Sequence, residues 1–163
     1  MKEEQSFHPF FIALAAFVAI TVNFMLAYTA ELNIWVTLLV MSLNSLLALI
    51  FIFSKLKTKY DMYGIDISFY PFMLKPRYIP WSDVSEAFIR KYSPLGDYGG
   101  WGLRFGGKKK GRAYNTKGNM GIQLVLKDGK KVLIGTQQEN ELHRYLESLI
   151  SRGIVKAGDE VSE

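Results

Sequence analysis

Residues 9–53 read PFFIALAAFVAITVNFMLAYTAELNIWVTLLVMSLNSLLALIFIF, and the rest of the chain is organised around this stretch. Asp, Glu, Lys, Arg and His are absent from Pro9 to Ala30 and again from Leu32 to Ser54. Each run is long enough to cross a hydrocarbon core of about 30 Å at about 1.5 Å per residue. The interruption at Glu31, Leu32 and Asn33 reads as a tight turn, so the stretch predicts a membrane-spanning hairpin with helices near 9–30 and 34–53. A cleaved secretory signal fits poorly. The apolar run outlasts a usual signal core of about 7 to 15 residues, Glu3 and Glu4 spoil the basic start, and a second span follows.

Working outward, Lys55, Lys57 and Lys59 follow the second span directly, whereas the connecting turn carries no cation. Loops rich in Lys and Arg stay on the cytoplasmic side. The expected location is therefore the inner cell membrane, with both termini and everything beyond Ser54 cytoplasmic. Within the hairpin, Asn23 and Asn44 lie near the middle of their spans, with Ser42 and Ser45 beside the second. At similar depth in antiparallel helices they are expected to hydrogen-bond across the pair, or to a second copy, for about 0.6 to 2 kcal/mol. No ionisable group accompanies them, so a transport path is the weaker reading.

The chain has 163 residues, no cysteine and a net charge of +5. All but one of its 20 Lys and Arg follow Ser54, against 12 of its 15 Asp and Glu, so the part beyond the hairpin is basic. About 110 residues make one small domain. The absence of cysteine removes disulfides, thiolate nucleophiles and Cys-type zinc sites together.

Beyond Lys59 the apolar period becomes that of strands. Ile65, Ile67 and Phe69 alternate with Asp66, Ser68 and Tyr70, Trp101, Leu103 and Phe105 with Gly102 and Arg104, and Ile122, Leu124 and Leu126 with Gln123 and Val125. Strands are expected near 57–63, 65–73, 84–92, 100–106, 111–116, 120–127 and 130–135. The consecutive Ala87, Phe88 and Ile89 suggest a bulge or burial on both faces in the third of these. Asp128-Gly129 predicts a two-residue type I′ turn joining the last two. Thr136 and Glu139 have capping-box spacing, and Leu142, Tyr145, Leu146, Leu149 and Ile150 form one helical stripe that Gly153 ends. The domain reading is 1–54 hairpin, 55–155 β domain and 156–163 polar, frayed tail.

Several runs carry a resemblance: Tyr78-Ile79-Pro80-Trp81-Ser82-Asp83-Val84, Gly100 to Phe105, Ala113-Tyr114-Asn115, and Gly121 through Asp128-Gly129 to Gly135-Thr136-Gln137. In these the chain resembles bacterial membrane-anchored proteins with a pleckstrin-homology-like (PH-like) domain, over nearly all of Lys55 to Val155. The resemblance implies a seven-stranded sandwich or barrel capped by a C-terminal α-helix, used for binding lipids or proteins and not for catalysis. Phosphoinositide-binding relatives carry cations between their first two strands. Here the turn at Met62-Tyr63-Gly64 has none, which argues against such a pocket.

For function, the basic Gly-rich segment stands out. Lys108, Lys109, Lys110 and Arg112 read as the tip of a loop between two strands, with Arg104 and Lys117 nearby. They are expected to contact anionic phospholipid headgroups or an acidic protein partner, while the plain alternative is a solvated loop that protects a sheet edge. Gly102 to Lys108 fits G-x-x-x-x-G-K, but Lys109 stands where Mg²⁺ binding needs Ser or Thr, and no helix is expected after it. Tyr92, Tyr98, Trp101, Phe105 and Tyr114 interleave with the cations as in single-strand nucleic-acid platforms. Trp101 and Phe105 share a strand face, so core packing is the expectation and nucleic acid is not an expected partner. His8 and His143 lack the neighbours of a triad or a metal site. The sequence thus reads as a membrane-anchored, non-catalytic binding module without cofactor or metal. The alternative is an accessory subunit of a larger membrane complex acting through the hairpin, and self-association is open to both.

Overall fold

The computed structural model describes residues 1–28 and 33–158. The chain forms two compact units, one of residues 7–54 and one that joins residues 1–6 to those from Lys55 onward.

In the helical unit, α1 is Pro9–Tyr28 and α2 is Ile34–Phe53, of 20 residues each. Both are long and apolar enough to cross a membrane. Their large side chains, such as Phe17, Phe24, Trp35 and Leu47, point outward, and only Ala19 and Thr37 are buried among the described helical residues. Helices apolar all round are stable in lipid. His8 closes the start of α1: its carbonyl accepts from the Phe11 and Ile12 N–H groups, and its Nδ1 accepts from Phe10 N–H at 3.2 Å. Asn33 caps α2, its side-chain oxygen accepting from Trp35 N–H at 2.9 Å. The turn expected at Glu31 and Leu32, and the expected end of the first span at Thr29 and Ala30, lie outside the described residues.

The second unit is mainly β. Its first sheet is antiparallel throughout and ordered β1 (Lys2–Ser6), β2 (Lys55–Tyr60), β3 (Gly64–Tyr70), β4 (Arg77–Pro80). The second sheet is built from β5 (Val84–Lys91), β6 (Gly102–Phe105), β7 (Arg112–Asn115), β8 (Met120–Leu126), β9 (Lys131–Gly135) and β10 (Lys156–Ala157). Its order is β10-β5-β8-β9-β7-β6, with β10 parallel to β5 and β7 parallel to β9. The described residues of the unit also form three α-helices, α3 (Pro94–Tyr98), α4 (Gly107–Lys110) and α5 (Glu139–Ser151), and a single 3-10 turn, Trp81–Asp83, between β4 and β5.

The core follows from alternation. Leu56, Ile65, Ile67 and Phe69 of the first sheet are fully buried, as are Ile122, Leu124, Leu133 and Ile134 of the second and Leu142 of α5. Asp61 ties three elements together. Its carbonyl accepts from Trp81 Nε1 at 2.8 Å and from the Tyr145 hydroxyl of α5 at 2.6 Å, while its Oδ1 accepts from Tyr63 and Gly64 N–H groups to close the β2–β3 turn. α5 ends in a Schellman arrangement, Gly153 at φ 68° and Ile154 N–H donating to the Leu149 carbonyl.

Several expectations need correction. The unit has ten described strands, the seven expected ones with shifted ends plus β1, β4 and β10. Residues 1–6, assigned by sequence to the hairpin, supply the edge strand β1. Lys156 and Ala157, expected to fray, pair with Glu86 and Ala87; residues 159–163 lie outside the described set. The β8–β9 turn is a three-residue one, with Gly129 N–H donating to Leu126 O and Leu126 N–H to Lys130 O. A type I′ turn would put Asp128 at positive φ, and here Gly129 alone takes that conformation, at 79°. The capping box is also absent, since α5 starts at Glu139 behind Gln138 and the Thr136 hydroxyl accepts from Gln138 N–H instead. β5 is bulged between Val84 and Glu86, and the Ser85 hydroxyl in the bulge donates to the Val125 carbonyl.

Candidate functional site

The basic segment forms the β6–β7 hairpin, at the edge of the second sheet. α4 makes its tip, and two glycines make the tip possible. Gly106 N–H donates to Gly111 O and Gly111 N–H to Gly107 O, closing the loop on itself. Gly111 has φ 73°, and a Cβ there would lie 2.0 Å from the Lys131 carbonyl oxygen, so no side chain fits.

The hairpin tip is held by α3. Ser93 caps that helix by accepting from Gly96 N–H at 3.1 Å. Asp97 accepts from Ser93 N–H at 2.9 Å, pairs with Lys110 Nζ at 2.7 Å and lies 3.9 Å from Arg90. Burial works to raise the Asp97 carboxyl, but the bonds from Lys110 and Ser93 and the nearby positive charges outweigh it and hold the group below the ordinary carboxylate range. The Tyr98 hydroxyl donates to the Lys110 carbonyl at 3.1 Å and accepts from Arg90. Burial raises the Tyr98 hydroxyl and pushes Tyr92 up to about 12, so both are neutral phenols at physiological pH; their rings meet edge-on at 6.1 Å between centroids, and Tyr98 is the one that also hydrogen-bonds.

The six cations singled out by sequence do not form one patch. Lys108 and Lys109 stand exposed at the tip, and Arg112 is exposed at the start of β7. Arg112 pairs with Phe105 in register. Arg104 pairs with Ala113, so alternation puts it on the opposite face of the ladder, where its Nε donates to the Trp101 carbonyl at 3.0 Å. Lys110 is committed to Asp97. Lys117 follows the far end of β7, about 10 Å of strand away from Arg112, and its carbonyl accepts from Gln137 Nε2.

Phe105 corrects the sequence reading. Expected in the core, it is 67% exposed, because β6 is the edge strand of its sheet. Trp101 precedes the strand, half-buried, with Nε1 donating to the Gly118 carbonyl at 3.0 Å. The resulting site is Lys108, Lys109 and Arg112 beside an exposed Phe105 on a sheet edge. Among the described residues none of these three cations has a carboxylate within 4.0 Å. Such a surface suits an acidic, partly apolar partner.

The hairpin's place in the unit is set by register. One end of the first sheet carries Ser6, Lys55 and Tyr70 in adjacent positions, and from there the chain runs into α1 and back from α2. The other end carries Gly64 opposite Pro80. Trp81 N–H donates to the Tyr63 carbonyl at that end, Lys127 N–H to the Asp83 carbonyl, and Gly111 abuts Lys131 just beyond the β8–β9 turn. The basic tip thus shares an end with the β2–β3 and β8–β9 turns, away from the helices' points of attachment.

In the helical unit Asn44 Nδ2 donates to Asn23 Oδ1 at 3.1 Å and to the Ala19 carbonyl at 3.2 Å, and Asn23 Nδ2 donates to Ser45 Oγ at 3.0 Å. The two asparagines are bonded within the hairpin.

Sequence reasoning missed a buried polar row under β1. Glu3 accepts from the Thr136 hydroxyl at 2.8 Å and Gln137 N–H at 2.6 Å. Gln5 donates to the Gly135 carbonyl at 2.8 Å and accepts from the Thr116 hydroxyl at 3.1 Å. No local signal marks them, because residues 2–6 are polar throughout and only the pairing with β2 makes Glu3 and Gln5 the buried members. Among the described residues no three His, Cys, Asp or Glu side chains gather as metal ligands. No protein-family model, curated protein or solved structure matches the chain.

Proposed function

We propose that this protein is a two-pass inner-membrane protein with both termini and the β unit in the cytoplasm. The β unit, a PH-like scaffold closed by α5 and enlarged by β1, β4 and β10, acts as a non-catalytic binding module that recruits an acidic protein partner to the membrane. The observation that carries this reading is the exposed cluster of Lys108, Lys109 and Arg112 with Phe105, at the end of the unit away from the helix attachments. A basic tip at that end meets the aqueous phase before it meets the headgroups of its own bilayer. An acidic protein therefore suits it better than lipid. The edge strand β6 adds unpaired backbone groups that an extended partner segment would complete.

The orientation rests on Lys55, Lys57 and Lys59 after the second span. Lys55 and Lys57 pair with Glu4 at 2.8 and 3.1 Å, and acidic residues count little in that rule.

The test compares the full-length chain with Lys108→Glu/Lys109→Glu, each gently solubilised from its native membrane. Proteins retained by the unaltered chain and released at high salt are expected to be lost from the variant; an identical retained set overturns the reading. Replacing residues 9–53 with an unrelated two-helix anchor is expected to leave capture intact. Loss of capture there would move the function to the hairpin.

A further inference from the structure

The β3–β4 connection, residues 71–76, is Pro-Phe-Met-Leu-Lys-Pro, and its apolar side chains stand in the open. Leu74 is 97% exposed, Tyr70 at the end of β3 is 61% exposed and Phe72 is 42% exposed. The loop is nonetheless tied down. The Phe72 ring meets Phe69 edge-on at 5.1 Å between centroids, and Met73 N–H donates to the Phe69 carbonyl at 2.7 Å. Three large apolar side chains exposed within five residues of an ordered loop make a patch of the kind that marks a contact surface.

Its position says which partner. Tyr70 pairs with Lys55, and Lys55 with Ser6. Strands are about 4.8 Å apart, so Tyr70 lies within about 10 Å of Ser6 and Lys55, the residues of the β unit from which the chain runs towards α1 and to which it returns after α2. The composition agrees. From Ile67 to Ser82 there is no acidic residue, and Lys75 directly follows the apolar apex, while Arg77 donates to the Tyr114 hydroxyl at 3.0 Å at the start of β4. Aromatic and aliphatic side chains beside Lys and Arg are the composition of a headgroup boundary, where the rings and aliphatic groups enter and the cations stay at the phosphates.

We infer that the β3–β4 loop is a third membrane contact, with Leu74, Phe72 and Tyr70 seated in the interfacial layer of the bilayer that α1 and α2 span. The inference rests on the reading of those helices as spans. It gives the two ends of the β unit different tasks, the loop end facing the bilayer and the basic hairpin facing the partner.

The cysteine-free sequence permits single nitroxide labels on the full chain in vesicles of phosphatidylcholine and phosphatidylglycerol. Three positions suffice: Leu74→Cys, Leu47→Cys in the middle of α2, and Tyr63→Cys, an exposed aromatic position at the opposite end of β3. Oxygen, which concentrates in the bilayer, and a water-soluble nickel chelate report depth by their relative collision rates. Expected are oxygen-dominated collisions at Leu47 and, more shallowly, at Leu74, with nickel-dominated collisions at Tyr63. Nickel-dominated collisions at Leu74 with oxygen-dominated ones at Leu47 overturn the inference and leave the spans standing. Nickel-dominated collisions at Leu47 overturn the spans and the inference together. Oxygen-dominated collisions at Tyr63 overturn the assignment of one membrane-facing end.

Discussion

Glu3 shows how much a single side chain decides. It is a buried carboxylate satisfied by a hydroxyl and a backbone N–H from residues 133 and 134 positions later in the chain, and it points inward because β1 pairs with β2. Glu3→Ala strands the Thr136 hydroxyl and Gln137 N–H without an acceptor, at a cost of about 1 to 3 kcal/mol. The expected outcome is faster amide exchange at Gln137 and along β1, with β8 little changed. An unaltered exchange pattern would mean that water replaces the carboxylate at no cost. Nothing in a Lys-Glu-Glu-Gln-Ser run signals a buried strand to a reader looking for apolar periodicity, which is why the strand went unseen while Ile65, Ile67 and Phe69 were legible.

At the scale of elements, the β6–β7 hairpin depends on α3. The Asp97 carboxyl is held below its ordinary range in the fold, so its contribution is complete above the unfolded-state value and is lost as pH falls through the folded one. Acidification below the ordinary carboxylate range is therefore expected to loosen α4 and the Lys110–Asp97 pair. Asp97→Asn is expected to weaken the hairpin at neutral pH and to flatten this part of the acid profile, read by amide exchange of residues 106–111. A profile identical to that of the unaltered chain would show that Asp97 does not set it. Sequence placed both strands and the cations between them. It did not separate Arg104 from Arg112 or assign Lys110 to Asp97, because those assignments depend on strand register and on where the Asp97 carboxylate and the Tyr98 hydroxyl of α3 meet Lys110 in the fold.

For the whole molecule, the decisive prediction is topological. In sealed cells, protease added from outside is expected to leave the chain beyond Ser54 intact, and in inverted vesicles to digest its exposed loops. Digestion in the first case overturns the proposed orientation and, with it, the recruitment of a cytoplasmic partner. The connections make the anchoring direct. Only Phe7 and His8 separate β1 from α1, and only Ser54 separates α2 from β2, so each link reaches no more than about 3.6 Å per residue.

The sequence by itself determined the elements whose signal is local: two apolar helices set by uninterrupted runs, the alternating strands, the Gly153 stop and the basic character of the hairpin. Only the tertiary structure decided what depends on distant partners. That includes the burial of Glu3 and Gln5, the parallel pairing of β7 with β9, the exposure of Phe105 on an edge, and the placing of the 71–76 loop beside the helix attachments. The physical reason is that hydrophobic period and turn chemistry act over a few residues, whereas strand order and edge exposure are settled by contacts between segments up to some 130 residues apart.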